Sequence, residues 1–299
     1  MTEAPRAFLP PALPREEAEA LARRFGLSPL GVRPPFAAYL RALWDRRSFL
    51  LTLSRAESAT RHQSNRLGWV WTIVNPLLLI GSYYLIFGLL LSTNMGASNR
   101  LTFLAVGVII FSVMASVISI GSKSLVVNQG LIRSLRFPRA LLPLSVAVAE
   151  IIANLPAFAV LMVVLIATGS TPTPKWLLFP VAVLLMSLFL TGLTFITSRA
   201  VHAFRDLTNF IPLALRVLRY TSGVFFAIDH YTRHHPSLNV VMNYQPFALA
   251  MTTVRQSLLN DSAHQIVPAY WLAMTAWGVG IFVIGLVVFW HGESRYGRA

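Results

Sequence analysis

Residues 128–143 read NQGLIRSLRFPRALLP, and this short basic stretch lies between two runs that each have the length to cross a bilayer. Leu131, Ile132 and Leu135 fall at helical spacing, with Asn128 ahead of them and Arg133 and Arg136 on the flanks. Phe137-Pro138 stops the turn, because proline supplies no N–H and clashes with the turn before it. Two readings fit. One is a positively charged loop whose arginines snorkel beside the membrane. The other is a rigid amphipathic helix, 126–138, that offers its apolar side to a soluble partner.

Outward from this segment the chain is 55% hydrophobic and 12% charged over 299 residues, too few charges for a soluble surface of that size. Uncharged runs at 67–91, 101–122, 176–198 and 266–290 each reach the roughly 20 residues that a hydrocarbon core requires. Two more runs qualify: 140–168, with Glu150 as its one carboxylate, and 207–228, with Arg216 and Arg219. The expected fold is an all-α integral membrane protein with six transmembrane helices, multi-pass in the cell inner or plasma membrane. A seventh apolar stretch, 238–254, has Pro246 near its middle and reads as re-entrant half-helices.

The net charge of +14 raises the question of nucleic acid, and its distribution answers it. With a cytoplasmic N-terminus, nineteen Lys and Arg fall on the inner side and four (Arg100, Lys175, Arg233, Arg255) on the outer side. That asymmetry predicts N-in, C-in and an even number of spans, and makes the basic excess a matter of topology. No nucleic acid partner is expected. The chain has no cysteine, which excludes disulfides and thiolate metal sites. Its first thirty-odd residues are polar and proline-rich, without the apolar core of a signal peptide.

The organisation follows. Residues 1–35 read as a flexible cytoplasmic tail with a short helix at Arg15 to Phe25. Residues 36–66 form an amphipathic interface helix and connector, in which Phe36, Tyr39, Leu40, Leu43, Trp44, Leu50 and Leu51 share a face suited to the headgroup level. Within it Ser54-Arg-Ala-Glu57 fits a capping box that would restart a helix. Residues 67–292 hold the spans, with an elaborate outer segment at 229–262, and 293–299 form a cytoplasmic tail. No internal repeat is evident. Gly121-Ser-Lys123-Ser lacks the spacing of a phosphate-binding loop, so ATP chemistry belongs to another chain.

Catalytic chemistry has little to work with. Asp229, His230, His234 and His235 cluster in DHYTRHH, where a solvated loop outweighs a metal site and no metal is expected. Aromatic residues are plentiful: Trp71, Tyr83, Tyr84 and Phe87 in the first span, Tyr220, Phe225 and Phe226 in the fifth. Rings of this kind stack on sugars, but interfacial belts also explain them. An arginine at mid-span costs about 2.5–3.5 kcal/mol to insert, so Arg216 and Arg219 need a reason. A Glu150–Arg216 ion pair would dock the third span on the fifth and leave Arg219 to face a channel.

Several motifs resemble the ABC type-2 permeases that export polysaccharides. Arg61-His-Gln-Ser64-Asn-Arg-Leu67-Gly68-Trp-Val-Trp71 followed by Pro76 is similar to the start of their first span, and Asn128–Pro143 to their coupling helix. Arg205-Asp206 is similar to their second cytoplasmic contact, and Tyr244-Gln-Pro246-Phe247 with Arg255 resembles their outer gate. The resemblance covers roughly residues 36–292. His62 stands where the family usually has Tyr, and Tyr-Gln-Pro replaces the common Leu-Asn-Pro. Those departures look most like the actinobacterial branch that exports lipid-linked galactan.

The resemblance implies a permease that is not an enzyme and has no cofactor of its own, working as a homodimer with two copies of a separate ABC ATPase that binds ATP and Mg. Six helices can hardly enclose a glycan-wide channel, whereas two subunits on a two-fold axis can. The implied cargo is a polyprenyl-pyrophosphate-linked polysaccharide: galactan, or otherwise of O-antigen or teichoic acid type. The alternatives are an exporter of another amphiphile or drug, a membrane-embedded glycosyltransferase, and a scaffold.

Overall fold

The computed structural model describes residues 14–25, 34–63, 68–90, 99–135 and 137–293. Among them every regular element is helical, and the long ones pack around one central helix, α5 (Arg100–Gly121). Asn99 caps α5, its Oδ1 accepting the N–H groups of Leu101 (3.1 Å) and Thr102 (3.3 Å), donors that a helix start otherwise leaves open.

Among the described residues five helical stretches are long and apolar enough to cross a membrane: Val70–Leu90, Arg100–Gly121, Leu141–Ala167, Pro174–Ala203 and Pro268–His291. The first is α4 (Gly68–Tyr83), which widens into a π-helical segment over Tyr84–Leu90. The third is two helices, α8 (Leu141–Ala153) and α9 (Leu155–Ala167), kinked where Pro156 can donate no N–H. At the kink the Asn154 side chain donates to the Glu150 carbonyl at 2.8 Å. The fourth contains α10 (Phe179–Ala203), and the last is α15 (Pro268–His291).

The expected span at 207–228 differs. Helix α11 (Leu207–Thr221) closes after 15 residues, because Ser222 ends it and Gly223 turns the chain at φ +70°. At 1.5 Å per residue it rises about 22 Å, short of a bilayer core. The remainder, Ser222–Ala227, is an irregular elbow leading to α12 (Ile228–Tyr231). The stretch 238–254 is broken as expected, into α13 (Pro236–Tyr244) and α14 (Pro246–Leu258), which meet at Gln245.

Helices α10 and α15 run parallel at close range. A Cβ at Gly285 would collide with the Gly192 backbone, and the Arg199 side chain donates to the Val288 carbonyl. Small residues allow such backbone approach where helices cannot rely on water to drive them together. The end where α5, α10 and α15 begin, here the upper end, also holds Leu258, whose carbonyl accepts from the Trp176 indole at 3.1 Å. The lower end holds the start of α8. Since α10 finishes at the lower end and α15 begins at the upper one, α11 and the elbow carry the chain back between them.

At the lower end α2 (Phe36–Asp45) and α3 (Arg47–Gln63) pack against the bundle, and a further helix, α1 (Arg15–Arg24), precedes them in the chain. The apolar face of 36–51 is divided where a single surface was expected. Tyr39 is 1% exposed and inserted under α15, whereas Trp44 is 70% exposed. The Tyr39 hydroxyl donates to Glu293 Oε2 (2.9 Å) and accepts the Ala140 N–H (3.2 Å), and Glu293 Oε1 accepts the Arg139 N–H (3.1 Å). The expected capping box is also overturned. Ser54 lies inside α3 and donates to the Leu50 carbonyl at 2.8 Å, and the Glu57 carboxylate accepts from Ser145. A continuous helix needs no new start there.

Candidate functional site

Helices α4 and α11 flank α5, and their upper ends meet through side chains. The Arg219 guanidinium donates to the Tyr83 hydroxyl at 2.8 Å and lies over the Phe111 ring at 5.2 Å. Phe225, delivered by the elbow, stacks on Phe87 (4.4 Å between centroids, planes 10° apart) and touches Tyr83 and Tyr220. The cation is therefore held by an aromatic cluster and a phenol, without a carboxylate partner among the described residues. Arginine beside stacked rings offers a charge and sugar-stacking faces together.

The other predicted channel residues divide. Trp71 is half exposed on α4, and Arg216 and Tyr220 are exposed on α11. Tyr84 lies half-buried over Gly88 in the π-helical segment, a distortion frequent at functional sites. Glu150 leaves this group. It is fully buried and accepts from Ser116 on α5, whereas Arg216 is on the exposed side of α11, so of the two readings left open the Glu150–Arg216 ion pair is not the one made.

The lower end does not carry the single helix expected at 126–138. It has two short helices, α6 (Ser124–Val127) and α7 (Gln129–Ser134), broken at Asn128, whose side chain donates to the Ser124 carbonyl at 3.0 Å. Ile132 is buried and Leu131 packs partly against the same lower cluster, and Phe137 meets Phe49 with ring centroids 5.6 Å apart. Leu135 remains half exposed, with Val127 and Phe204 more so. Arg133, Arg205 and Asp206 are exposed, and Arg136 lies outside the described residues. The outward apolar surface is thus Val127, Leu135 and Phe204. Two of these, Val127 and Phe204, escaped sequence reasoning, although their positions beside basic loops were a usable signal.

At the upper end, Gln245 Nε2 donates to the Thr221 carbonyl at 2.7 Å and ties the α13–α14 turn to the end of α11. Pro246 opens α14, Phe247 is buried edge-on against Phe189 (5.5 Å), and the Tyr244 ring approaches Tyr270 (5.6 Å). Arg255 is 5% exposed, lies 3.5 Å over the Phe103 ring, and donates to the carbonyls of Gly223 (2.8 Å) and Val224 (3.1 Å). Burial pulls its pKa down to about 9, with Asp261 opposing. Beside it His264 Nδ1 meets Asp261 at 2.5 Å, and burial and the Arg255 charge hold the imidazole below its ordinary value. Asp229 Oδ1 accepts from the side-chain amides of Asn239 (2.9 Å) and Asn243 (2.7 Å), which tie α12 to α13. No group of metal ligands forms among the described residues.

Comparison with known proteins gives a consistent result. The ABC-2 type transporter family matches residues 49–259, from α3 to just beyond α14. The chain is similar to the O-antigen export system permease protein RfbA of Klebsiella pneumoniae, 27% identical over 83% of this chain and 93% of that protein. It is also similar to the RfbA protein of the same description from Myxococcus xanthus, 28% identical over 86% of this chain and 94% of the relative.

Proposed function

This chain belongs to the ABC-2 type transporter family, and on that premise we propose that it is the transmembrane subunit of an ABC exporter moving polyprenyl-pyrophosphate-linked polysaccharide out of the cytoplasm. It is a multi-pass inner-membrane protein, with five apolar helices of spanning length among the described residues. Both relatives named above are O-antigen export permeases matched over nearly their whole length, which supports a glycan as cargo. Galactan is the proposed sugar, from the motif departures at His62 and Tyr244-Gln245-Pro246.

The observation that carries the cargo reading is Arg219 in its aromatic setting. It sits between α11 and α4, the span least covered by the rest of the chain. Stacked rings suit the C–H faces of sugars, and the guanidinium suits the oxygens of a pyrophosphate. Two copies facing each other across their α4 and α11 surfaces would enclose the conduit, with the sixth crossing made by α11 and the elbow. The lower end is then cytoplasmic, where Val127, Leu135 and Phe204 would meet a separate ATPase that holds ATP and Mg. The upper end, with the α13–α14 pair, is the exit.

Reconstitution with the ATPase tests this. The complex should purify with equal numbers of permease and ATPase chains and show ATPase activity stimulated by galactan-bearing polyprenyl pyrophosphate. Stimulation by unglycosylated amphiphiles alone would favour the drug or lipid exporter, and absence of an ATPase partner would sink the exporter reading.

A further inference from the structure

The elbow between α11 and α12 is buried but not helical. Over 222–227 the carbonyls lose the N–H that a helix would offer four residues on, and Gly223, Val224 and Phe225 are all buried. Buried carbonyls need a donor from elsewhere. Arg255 of α14 supplies it, donating to the carbonyls of Gly223 at 2.8 Å and Val224 at 3.1 Å. Its guanidinium also lies over the Phe103 ring, 3.5 Å from the centroid. Helix α5 leaves room for this joint at Gly107, where a Cβ would stand 2.6 Å from the Val224 oxygen and 2.8 Å from an Arg255 nitrogen. A planar fork that stacks on a ring while serving two carbonyls is beyond a lysine.

The residue next to this joint is Phe225. Its ring stacks on Phe87 with centroids 4.4 Å apart, and lies 4.8 Å from Tyr83 and 5.4 Å from Tyr220. The Tyr83 hydroxyl in turn accepts from Arg219 at 2.8 Å. On the other side of the elbow Gln245 donates to the Thr221 carbonyl at 2.7 Å. The outer helices therefore grip the elbow at both ends, and the elbow presents its ring to α4.

We propose that Arg255 is a positioning residue for the Arg219 site: by holding the Gly223 and Val224 carbonyls it seats Phe225 against Phe87 and Tyr83. Through it the outer helix pair sets how tightly the ring cluster holds cargo. The inference rests on the transport reading, in which Arg219 and its rings meet the exported molecule.

The cysteine-free chain permits a readout of the elbow itself. Ser222→Cys is nearly isosteric at a position 1% exposed, so its thiol reacts with a maleimide only when the elbow opens. Thr171→Cys, exposed at the same end, is the control. In the full-length permease with its ATPase in nanodiscs, Arg255→Lys should speed labelling at Ser222→Cys at least about tenfold and leave Thr171→Cys unchanged. Without the added cysteine, Arg255→Lys should raise the concentration of galactan-bearing polyprenyl pyrophosphate that half-stimulates the ATPase about tenfold, the scale of one aromatic pair, with the plateau within about twofold. Gly107→Ala crowds the same joint from α5 with Arg255 intact and should do both, so poor folding of one variant leaves the other to decide. Phe225→Leu should give the same shift in cargo response, and combining it with Arg255→Lys should add little, because both remove one interaction. An elbow that opens while the half-stimulating concentration stays unchanged would overturn the positioning role. So would wild-type labelling in well-folded Arg255→Lys, or fully additive shifts in the double variant. A wild-type complex that this cargo does not stimulate would overturn the transport reading and this inference with it, and is recognised before any variant is compared.

Discussion

The first and second spans are both strongly apolar, yet 72% of the central stretch of α5 is buried within the chain against 11% for Val70–Leu90. Helix α5 is the post around which the others pack, and α4 rests one face on α5 and α9 and leaves its other face open. Hydropathy alone does not separate these cases, because lipid, a second subunit and a protein core are all apolar. What separates them is which residues sit at the boundary. Along α5 the neighbours are other helices of the same chain, whereas α4 meets α11 at Arg219, Tyr83 and Phe225 and leaves Trp71 uncovered. A well-packed post and an open wall therefore predict different responses to substitution.

The largest effect belongs to the packed side. Gly285→Leu forces a branched side chain into the Gly192 backbone and should abolish the folded protein, seen as loss of a monodisperse peak in detergent. Phe111→Ala, at 1% exposed, should cost about 3–5 kcal/mol in a thermal or denaturant scan. Trp71→Ala on the open wall should cost under about 1 kcal/mol in the same scan. Equal losses at the two positions would erase the distinction between post and wall.

The lower end offers a sharper version of the same contrast. Leu135→Asp should leave stability within about 0.5 kcal/mol and remove the ATPase on co-purification, because its side chain is half exposed. Ile132→Asp, buried 6% exposed, should instead destabilise the fold. Retention of the ATPase at wild-type stoichiometry by Leu135→Asp would remove this surface from the docking account. The smallest effect concerns Glu293, whose pKa is raised chiefly by burial, with Arg139 and Tyr39 opposing. A carboxyl raised in the folded state adds stability that is full below its ordinary value of 4.5 and is lost as pH climbs through the raised one. Thermal stability should therefore rise on acidification from neutral pH toward that value, and Glu293→Gln should flatten this part of the profile.

Much of the fold was legible because span length is written directly into uncharged runs. The expected 101–122, 140–168 and 266–290 lie within two residues of Arg100–Gly121, Leu141–Ala167 and Pro268–His291. The shortened α11 was harder, since Gly223 sits in an apolar run and only its positive φ reveals the break. Long-range pairings could not be read at all. Tyr39 meets Glu293 across 254 positions, and Glu150 meets Ser116 where a pair with Arg216 was one open reading, because the rotation of each helix, which hydropathy does not encode, decides which side chains face each other. The site was half legible: intramembrane Arg219 announced itself by its cost, but Phe111 looked like any core residue. The motif Arg61–Trp71 includes residues 64–67, which lie outside the described residues, as does Arg136.

The open wall is proposed as the conduit, and Arg219 is where that proposal is most exposed. Export of lipid-linked polysaccharide should be measured for Arg219→Ala in a reconstituted complex, beside its thermal stability and its yield of bound ATPase. The account predicts normal assembly, a stability loss of about 1 kcal/mol from the missing Tyr83 hydrogen bond, and export reduced beyond detection. Full export by the well-assembled Arg219→Ala complex would contradict it and reduce this arginine to a packing contact.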